Sequence, residues 1–352
     1  MSSHNPSSEG LTMAILGCGK HTHIFPIFPS FHLESHPNLC PGTLGTSLLK
    51  GLVAALKDLD NPQSPTTSPK PALIPTTFLV SIRTESAQRH LHSLFSSVPS
   101  VSAHKSQDVS VVAQSSIILL TCPPLALPSI LSQPGLREAL SHKLLISCIP
   151  GVSISQIEQL LYPRLTYADQ LSGLKQVESN CAIVRAVPNI AGEVGKSSTV
   201  VSYHPDVPPS EEQLELVDWI FGLVGEVTHL PAGEMDAATA LSASGPAFWA
   251  VVMEAAVDGA VAMGLGREEA TRLAAEGMRG TAELVLKGER PGDVKDRAGT
   301  AGGATMGGLM VLEEGKVRGT VGRAVREAAT LAGLVGRGLL GVNGTRGGSA
   351  VM

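Results

Sequence analysis

The chain has 352 residues, 43% of them hydrophobic and 16% charged, with a formal net charge of −5. Length and apolar content allow about two domains with a sizeable core, and the sparse, net acidic charge argues against a nucleic-acid footprint. The five cysteines form no CxxC pair, so a disulfide framework or thiolate metal site is not expected. Scattered thiols point to a reducing, cytoplasmic setting.

In chain order, residues 1–10 are polar, without the basic-then-apolar pattern of a secretory signal. Leu11–Leu16 reads as a buried first strand running into Gly17-Cys18-Gly19. Residues 43–56 place Leu44, Leu48, Leu52, Val53 and Leu56 at helical spacing. Residues 58–76, rich in Pro, Ser and Thr, form a loop. Residues 77–82 are a second strand and 85–95 a helix. Residues 116–121 and 143–148 are two more apolar strands, each followed by proline. The apolar stretch 115–131 is broken by Pro123, Pro124 and Pro128, which excludes a membrane span there. Strands alternating with helices predict a Rossmann-type, doubly wound, mostly parallel sheet over residues 11–231. From 232 to 338 the chain is rich in Ala, Glu, Arg, Met and Leu, which predicts an all-helical domain, with long helices over 234–264 and 268–286. A flexible tail follows at 339–352.

Gly17 and Gly19 can supply the tight turn of a dinucleotide fingerprint. Its third glycine position is occupied by Thr22, and the proline-interrupted segment 20–41 follows. Excising 20–41 and merging Gly19 with Gly42 gives Gly-Cys-Gly-Thr-Leu-Gly ahead of the helix, an intact fingerprint through Gly42, Thr43, Leu44 and Gly45. The codons permit an unspliced intron. Gly19-Lys20 can be GGT-AAG, which holds a GTAAG donor, and Pro41-Gly42 can be CCA-GGN, which holds an AG acceptor in phase. A genuine loop insertion is the plain alternative. A zinc site built from His21, His23, His32 and His36 has loose spacing and one nearby thiol, Cys40, so no metal is expected.

After the second strand comes Arg83, with no acid before Glu85. A basic residue there suits a ribose 2′-phosphate and an acidic one a 2′-hydroxyl, so NADPH is expected over NADH. Thr121, Cys122, Pro123 and Pro124, and Cys148, Ile149 and Pro150, follow strand C-termini, the edge where open α/β sheets bind ligands.

Leu241-Ser-Ala-Ser-Gly-Pro-Ala247, Ala262-Met-Gly-Leu265, Arg185-Ala-Val-Pro-Asn189 and the run from Val294 to Leu309 with its cluster Gly299 to Gly308 resemble, in order, the motifs of the pyrroline-5-carboxylate reductase family. The resemblance runs from about residue 11 to 336, outside 20–41. It departs at Pro123 (usually lysine), Ile190 (threonine), Ala243 (glycine) and Ala301 (proline). It implies NAD(P)H-dependent reduction of a cyclic imino acid to L-proline, and a helical domain that forms a homodimer, in some members a ring of dimers. It puts the turns at 121–124 and 148–150 against the cofactor and Asn189 near the nicotinamide. It assigns the substrate to Thr300, Gly302, Gly303, Ala304 and Thr305, with the Thr305 hydroxyl at the ring nitrogen. A catalytically silent nucleotide-binding protein, or an oxidoreductase for another imine or a 2-hydroxy acid, is the competing reading. No nucleic-acid or membrane partner is expected.

Overall fold

The computed structural model describes residues 10–17, 43–59, 71–163 and 181–339. Cys18, Gly19, Gly42 and the segment 20–41 lie outside the described residues. The chain divides into two units, residues 1–243 with 329–352, and residues 244–328.

The first unit is built on β1 (Leu11–Leu16), β2 (Pro75–Ile82), β3 (Val101–Lys105), β4 (Ile117–Leu120), β5 (Leu144–Ser147), β6 (Ala182–Val187), β7 (Ser197–Tyr203) and β8 (Gly225–His229). They form one sheet in the order β3-β2-β1-β4-β5-β6-β7-β8. All neighbours are parallel except β6 and β7. The first five strands make a doubly wound sheet whose order reverses between β1 and β4, the switch point at which such folds take ligands. β4 and β5 are buried at every residue, because helices cover both faces and a doubly covered strand reads as an unbroken apolar run. Met13 and Ile15 join one core with Leu48 and Leu52, whereas Ala14 and Leu16 join the other with Leu127 and Leu136.

α1 (Thr43–Asp58) buries Leu48, Leu52 and Val53 of the predicted stripe together with Gly45 and Leu49, while Leu44 and Leu56 are half-buried. A Cβ on its Gly51 would stand 2.0 Å from the Gly192 carbonyl oxygen, so this position admits only glycine at the observed packing. The next helices are α2 (Glu85–Phe95), α3 (Asp108–Ala113), α4 (Leu127–Leu131), α5 (Leu136–Leu140), α6 (Ile154–Leu161) and α7 (Glu211–Gly222).

The expected single helix over 234–264 is two helices, α8 (Met235–Ser242) and α9 (Gly245–Ala262). Pro246 sits in the first turn of α9 and has no N–H to donate to Ser242, so the ladder breaks there. The second unit holds α9, α10 (Arg267–Leu286), α11 (Pro291–Ala298), α12 (Ala304–Glu314) and the start of α13 (Val317–Gly336). It has little core of its own. α9 buries only Gly245 and Val257, α10 only Ala270, and α12 nothing, while Trp249, Val251, Leu273, Met310 and Val311 are exposed.

Candidate active site

The C-terminal ends of β1, β4 and β5 are tied together beyond their ladders. The Thr121 N–H donates to the Leu16 carbonyl at 2.9 Å, its hydroxyl donates to the same oxygen at 3.1 Å, and the Cys148 N–H donates to the Leu120 carbonyl at 2.9 Å. Gly17 leaves β1 at φ +108°, and a Cβ there would lie 2.5 Å from both Cα and N of Cys122. Both the left-handed backbone and this close approach require glycine. Thr121, Cys122, Cys148 and Ile149 are buried, and Pro123 and Pro150 half-buried. Pro124 opens a short 3-10 turn, where its missing N–H costs nothing. Burial pushes the Cys122 thiol up to about 12, so it packs as a neutral group and is no nucleophile.

The turn after β5 has a partner that sequence reasoning missed. A Cβ on Gly151 (φ +74°) would stand 1.8 Å from the Ala332 carbonyl oxygen, and one on Gly336 would stand 1.8 Å from that of Gly151. The last turn of α13 thus lies backbone to backbone on this turn, and the Gln156 amide donates to the Gly336 carbonyl at 2.8 Å. The glycines at 333 and 336 were the available signal.

At the end of β2, Arg83 is exposed and one guanidinium nitrogen reaches the Ser129 hydroxyl at 3.4 Å. Both neighbouring acids are engaged. Glu85 takes Lys105 at 2.7 Å, which lowers its carboxyl below the usual value. Asp108 accepts from the Ser81 hydroxyl and, at 2.6 Å, from the Gln133 amide. Asp108 was also missed, being remote in sequence from the strand that it joins.

Asn189 is buried, and both ends of its amide are committed within the protein. Its oxygen accepts from the Ala191 N–H at 2.9 Å, and its nitrogen donates to the Ser242 carbonyl at 2.9 Å. That carbonyl is the one freed by Pro246. The Arg-Ala-Val-Pro-Asn and Leu-Ser-Ala-Ser-Gly-Pro-Ala motifs therefore meet through one hydrogen bond. Asn189→Ala should lower stability by about 1–3 kcal/mol, from a lost cap and a half-buried carbonyl left without its donor. Urea unfolding measures it, and a loss below 1 kcal/mol would mean that the bond contributes little.

In the second unit, Gly299–Gly303 joins α11 to α12. Gly302 has φ +71°, and the Gly303 N–H donates to the Thr300 carbonyl at 3.0 Å. A Cβ on Gly303 would meet the Thr300 hydroxyl oxygen at 2.3 Å. α12 starts at Ala304, so Thr305 lies in its first turn, exposed, as Thr300 is. The first N–H groups of a helix have no intrahelical acceptor and carry the positive end of its dipole. A groove of about 300 Å³ beside the loop is lined by Lys295, Met306, Leu309, Met310, Glu313 and Glu314.

A doubly wound sheet with a glycine turn at its switch point, followed by a helical module with its own anion-ready loop, defines a dinucleotide-dependent oxidoreductase architecture. Residues 232–333 match the family model described as pyrroline-5-carboxylate reductase dimerisation. A pyrroline-5-carboxylate reductase of Lophium arboricola is 41% identical over 349 residues, covering 98% of this chain and all of that protein. One of Schizosaccharomyces pombe is 31% identical over 296 residues, covering 84% and 97%. The crystal structure of Plasmodium falciparum pyrroline carboxylate reductase with NADP bound superposes with a TM-score of 0.69 at 22% identity, covering 94% of this chain and all of that one. The chain belongs to the pyrroline-5-carboxylate reductase family.

Proposed function

We infer that this chain reduces 1-pyrroline-5-carboxylate to L-proline, with NAD(P)H as the hydride donor. The observation that carries the reading is family membership over the whole chain, joined to a sheet edge that fits a dinucleotide. The fit rests on the close backbone approach at Gly17, which leaves room at the turn, and on the engaged acids around Arg83. The bound nicotinamide supplies the hydride to the C=N carbon. The turns at Thr121–Pro124 and Cys148–Pro150 would flank the dinucleotide, and Arg83 would take a 2′-phosphate, which favours NADPH. Cys18, Gly19, Gly42, Thr43, Leu44 and Gly45 belong to the fingerprint by sequence; α1 begins at Thr43 with Gly45 buried. Asn189, with its amide committed, would shape the nicotinamide end rather than touch it.

The free N–H groups opening α12, at Ala304 and Thr305, suit the substrate carboxylate. Gly302 and Gly303 let the chain turn tightly behind them, and the Thr305 hydroxyl would meet the ring nitrogen. An imine that arrives protonated needs no further acid, so orientation and a positive field are the protein's share. The catalytically silent reading is disfavoured by the similarity to pyrroline-5-carboxylate reductases over nearly the whole chain. NADPH oxidation with pyrroline-5-carboxylate tests the reading, in the chain as given and in one lacking 20–41. No turnover in either would overturn it. If 20–41 is a retained intron, the shortened chain should bind NADPH far more tightly. Thr305→Ala should lower turnover roughly 2- to 13-fold, and more if the bond forms only in the transition state, with NADPH affinity unchanged. Unaltered kinetics would remove Thr305 from the site.

The second unit is a dimerisation module. Its exposed Trp249, Val251, Met310 and Val311 are the surface that a second copy would cover, as obligate interfaces resemble a core cut in half. The segment Ala232–Ala262 is long and apolar enough to cross a membrane by length and composition, with a mean hydropathy of 1.3 and 17% of that window buried. It lies within the dimerisation match, so burial against the partner subunit accounts for it. A ring of such dimers and a cytoplasmic location complete the proposal.

A further inference from the structure

Arg185 lies in the middle of β6, opposite Ser147 of β5 on one side and Ser202 of β7 on the other. Facing pairs in a sheet share a face, so these three polar side chains form a row across three strands. All are buried, at 0%, 4% and 2% exposure for Ser147, Arg185 and Ser202. α8 packs on β7 and adds Thr239, 2% exposed, and Ser242. Arg185 Nε and Nη2 and the hydroxyls of Ser202, Thr239 and Ser242 are closed to solvent, and none has a hydrogen-bond partner among the described residues. No carboxylate among those residues lies within ion-pair distance of Arg185. Burial lowers the guanidinium's pKa, and Asp236 on α8 opposes this only in part.

Buried polar groups are nearly always paired, and an uncompensated buried charge is costly. A guanidinium can only donate, and each hydroxyl can donate as well. Ser202 faces Arg185 across the β6–β7 pair and α8 covers β7 with Thr239 and Ser242, so a small anion would give the two guanidinium donors and the three hydroxyls the acceptor that they lack. These five atoms are closed to solvent, which favours a small ion over an organic acid with a tail.

We propose that Arg185, with the hydroxyls of Ser202, Thr239 and Ser242, holds one small inorganic monoanion of chloride size between the sheet and α8. The anion fixes α8 on the sheet, and with it the Asn189–Ser242 bond. The site is structural and lies apart from the residues assigned to hydride transfer, so it stands whether or not that assignment does.

The test uses the full chain prepared free of halide in sodium gluconate. Replacing gluconate by chloride at constant ionic strength, to about ten times the dissociation constant, should raise Tm by about 2–4 °C, and bromide should do the same. Crystals grown in bromide should show an anomalous scatterer within hydrogen-bond distance of Arg185 Nε or Nη2. Arg185→Met should remove the halide-dependent rise. Should that variant fail to fold, Thr239→Val, which keeps the charge and the side-chain shape, should at least halve it. Equal Tm in chloride and gluconate, a bromide lattice without a scatterer at Arg185, or an undiminished rise in a folded variant would each overturn the proposal.

Discussion

Replacing Gly17 with alanine is expected to cost about 2–6 kcal/mol of folding stability and to remove measurable dinucleotide binding. Two independent terms add. An L-residue held at φ +108° carries strain of about 1–3 kcal/mol. The new methyl would also stand 2.5 Å from the backbone of Cys122, and overpacking of this kind costs about 1–3 kcal/mol. Backbone cannot swing aside as a flexible side chain can, because Thr121 is tied to Leu16 by two hydrogen bonds. Relief must come from separating the ends of β1 and β4, which is the crevice at which the pyrophosphate is proposed to sit. Urea unfolding and NADPH titration read the two effects. Gly222→Ala is the control, since a Cβ there meets nothing within 4 Å. A Gly17→Ala protein as stable as the control would show that the strand ends do not pack as described.

What could be read from the sequence follows from what each element buries. β4 is apolar at every position, and β1 and β5 at every position but Thr12 and Ser147, because both faces are covered. A run such as Ile117–Leu120 is legible for that reason. β3, on the sheet edge and only half-buried, carries Ser102, His104 and Lys105 and has no such run. β6 was read as a motif rather than a strand, because Arg185 interrupts its apolar pattern. Its neighbours across the sheet, Ser147 and Ser202, are polar as well.

The helical module was legible in composition and not in its break. Residues 235–262 are rich in good helix formers, and Pro246 alone does not say whether a helix begins there or bends. The bond from Asn189 to the Ser242 carbonyl settles it as an end and a new start. It also gives Asn189 a holding role between the two motifs. The candidate site was legible wherever glycine or proline marks a turn, as at Gly17, Pro124 and Gly302. It was not legible where distant segments meet. Asp108 reaches Ser81, and Gly336 reaches Gly151, across separations that no local pattern encodes.

Arg83→Ala is expected to weaken NADPH binding roughly 13- to 160-fold and NADH binding by less than about twofold. The two cofactors differ only in the 2′-phosphate, so a contact to that group is read by the ratio of the two affinities and by neither alone. Arg83 follows the last residue of β2 and is exposed, with one modest bond to Ser129. Moving it onto a phosphate therefore sacrifices little. The alternative reader of this position would be an acid on the ribose hydroxyls, which would favour NADH. Glu85 is drawn to Lys105, and Asp108 is engaged by Ser81 and Gln133. Both acids are thus already held by partners within the protein. Arg83→Lys separates charge from geometry: a lysine keeps the cation and loses the bidentate fork, so it should recover part of the NADPH affinity. Isothermal titration of both cofactors against the three proteins gives the ratios. Equal losses for NADPH and NADH in Arg83→Ala would mean that Arg83 points away from the 2′ position and that cofactor choice is made elsewhere.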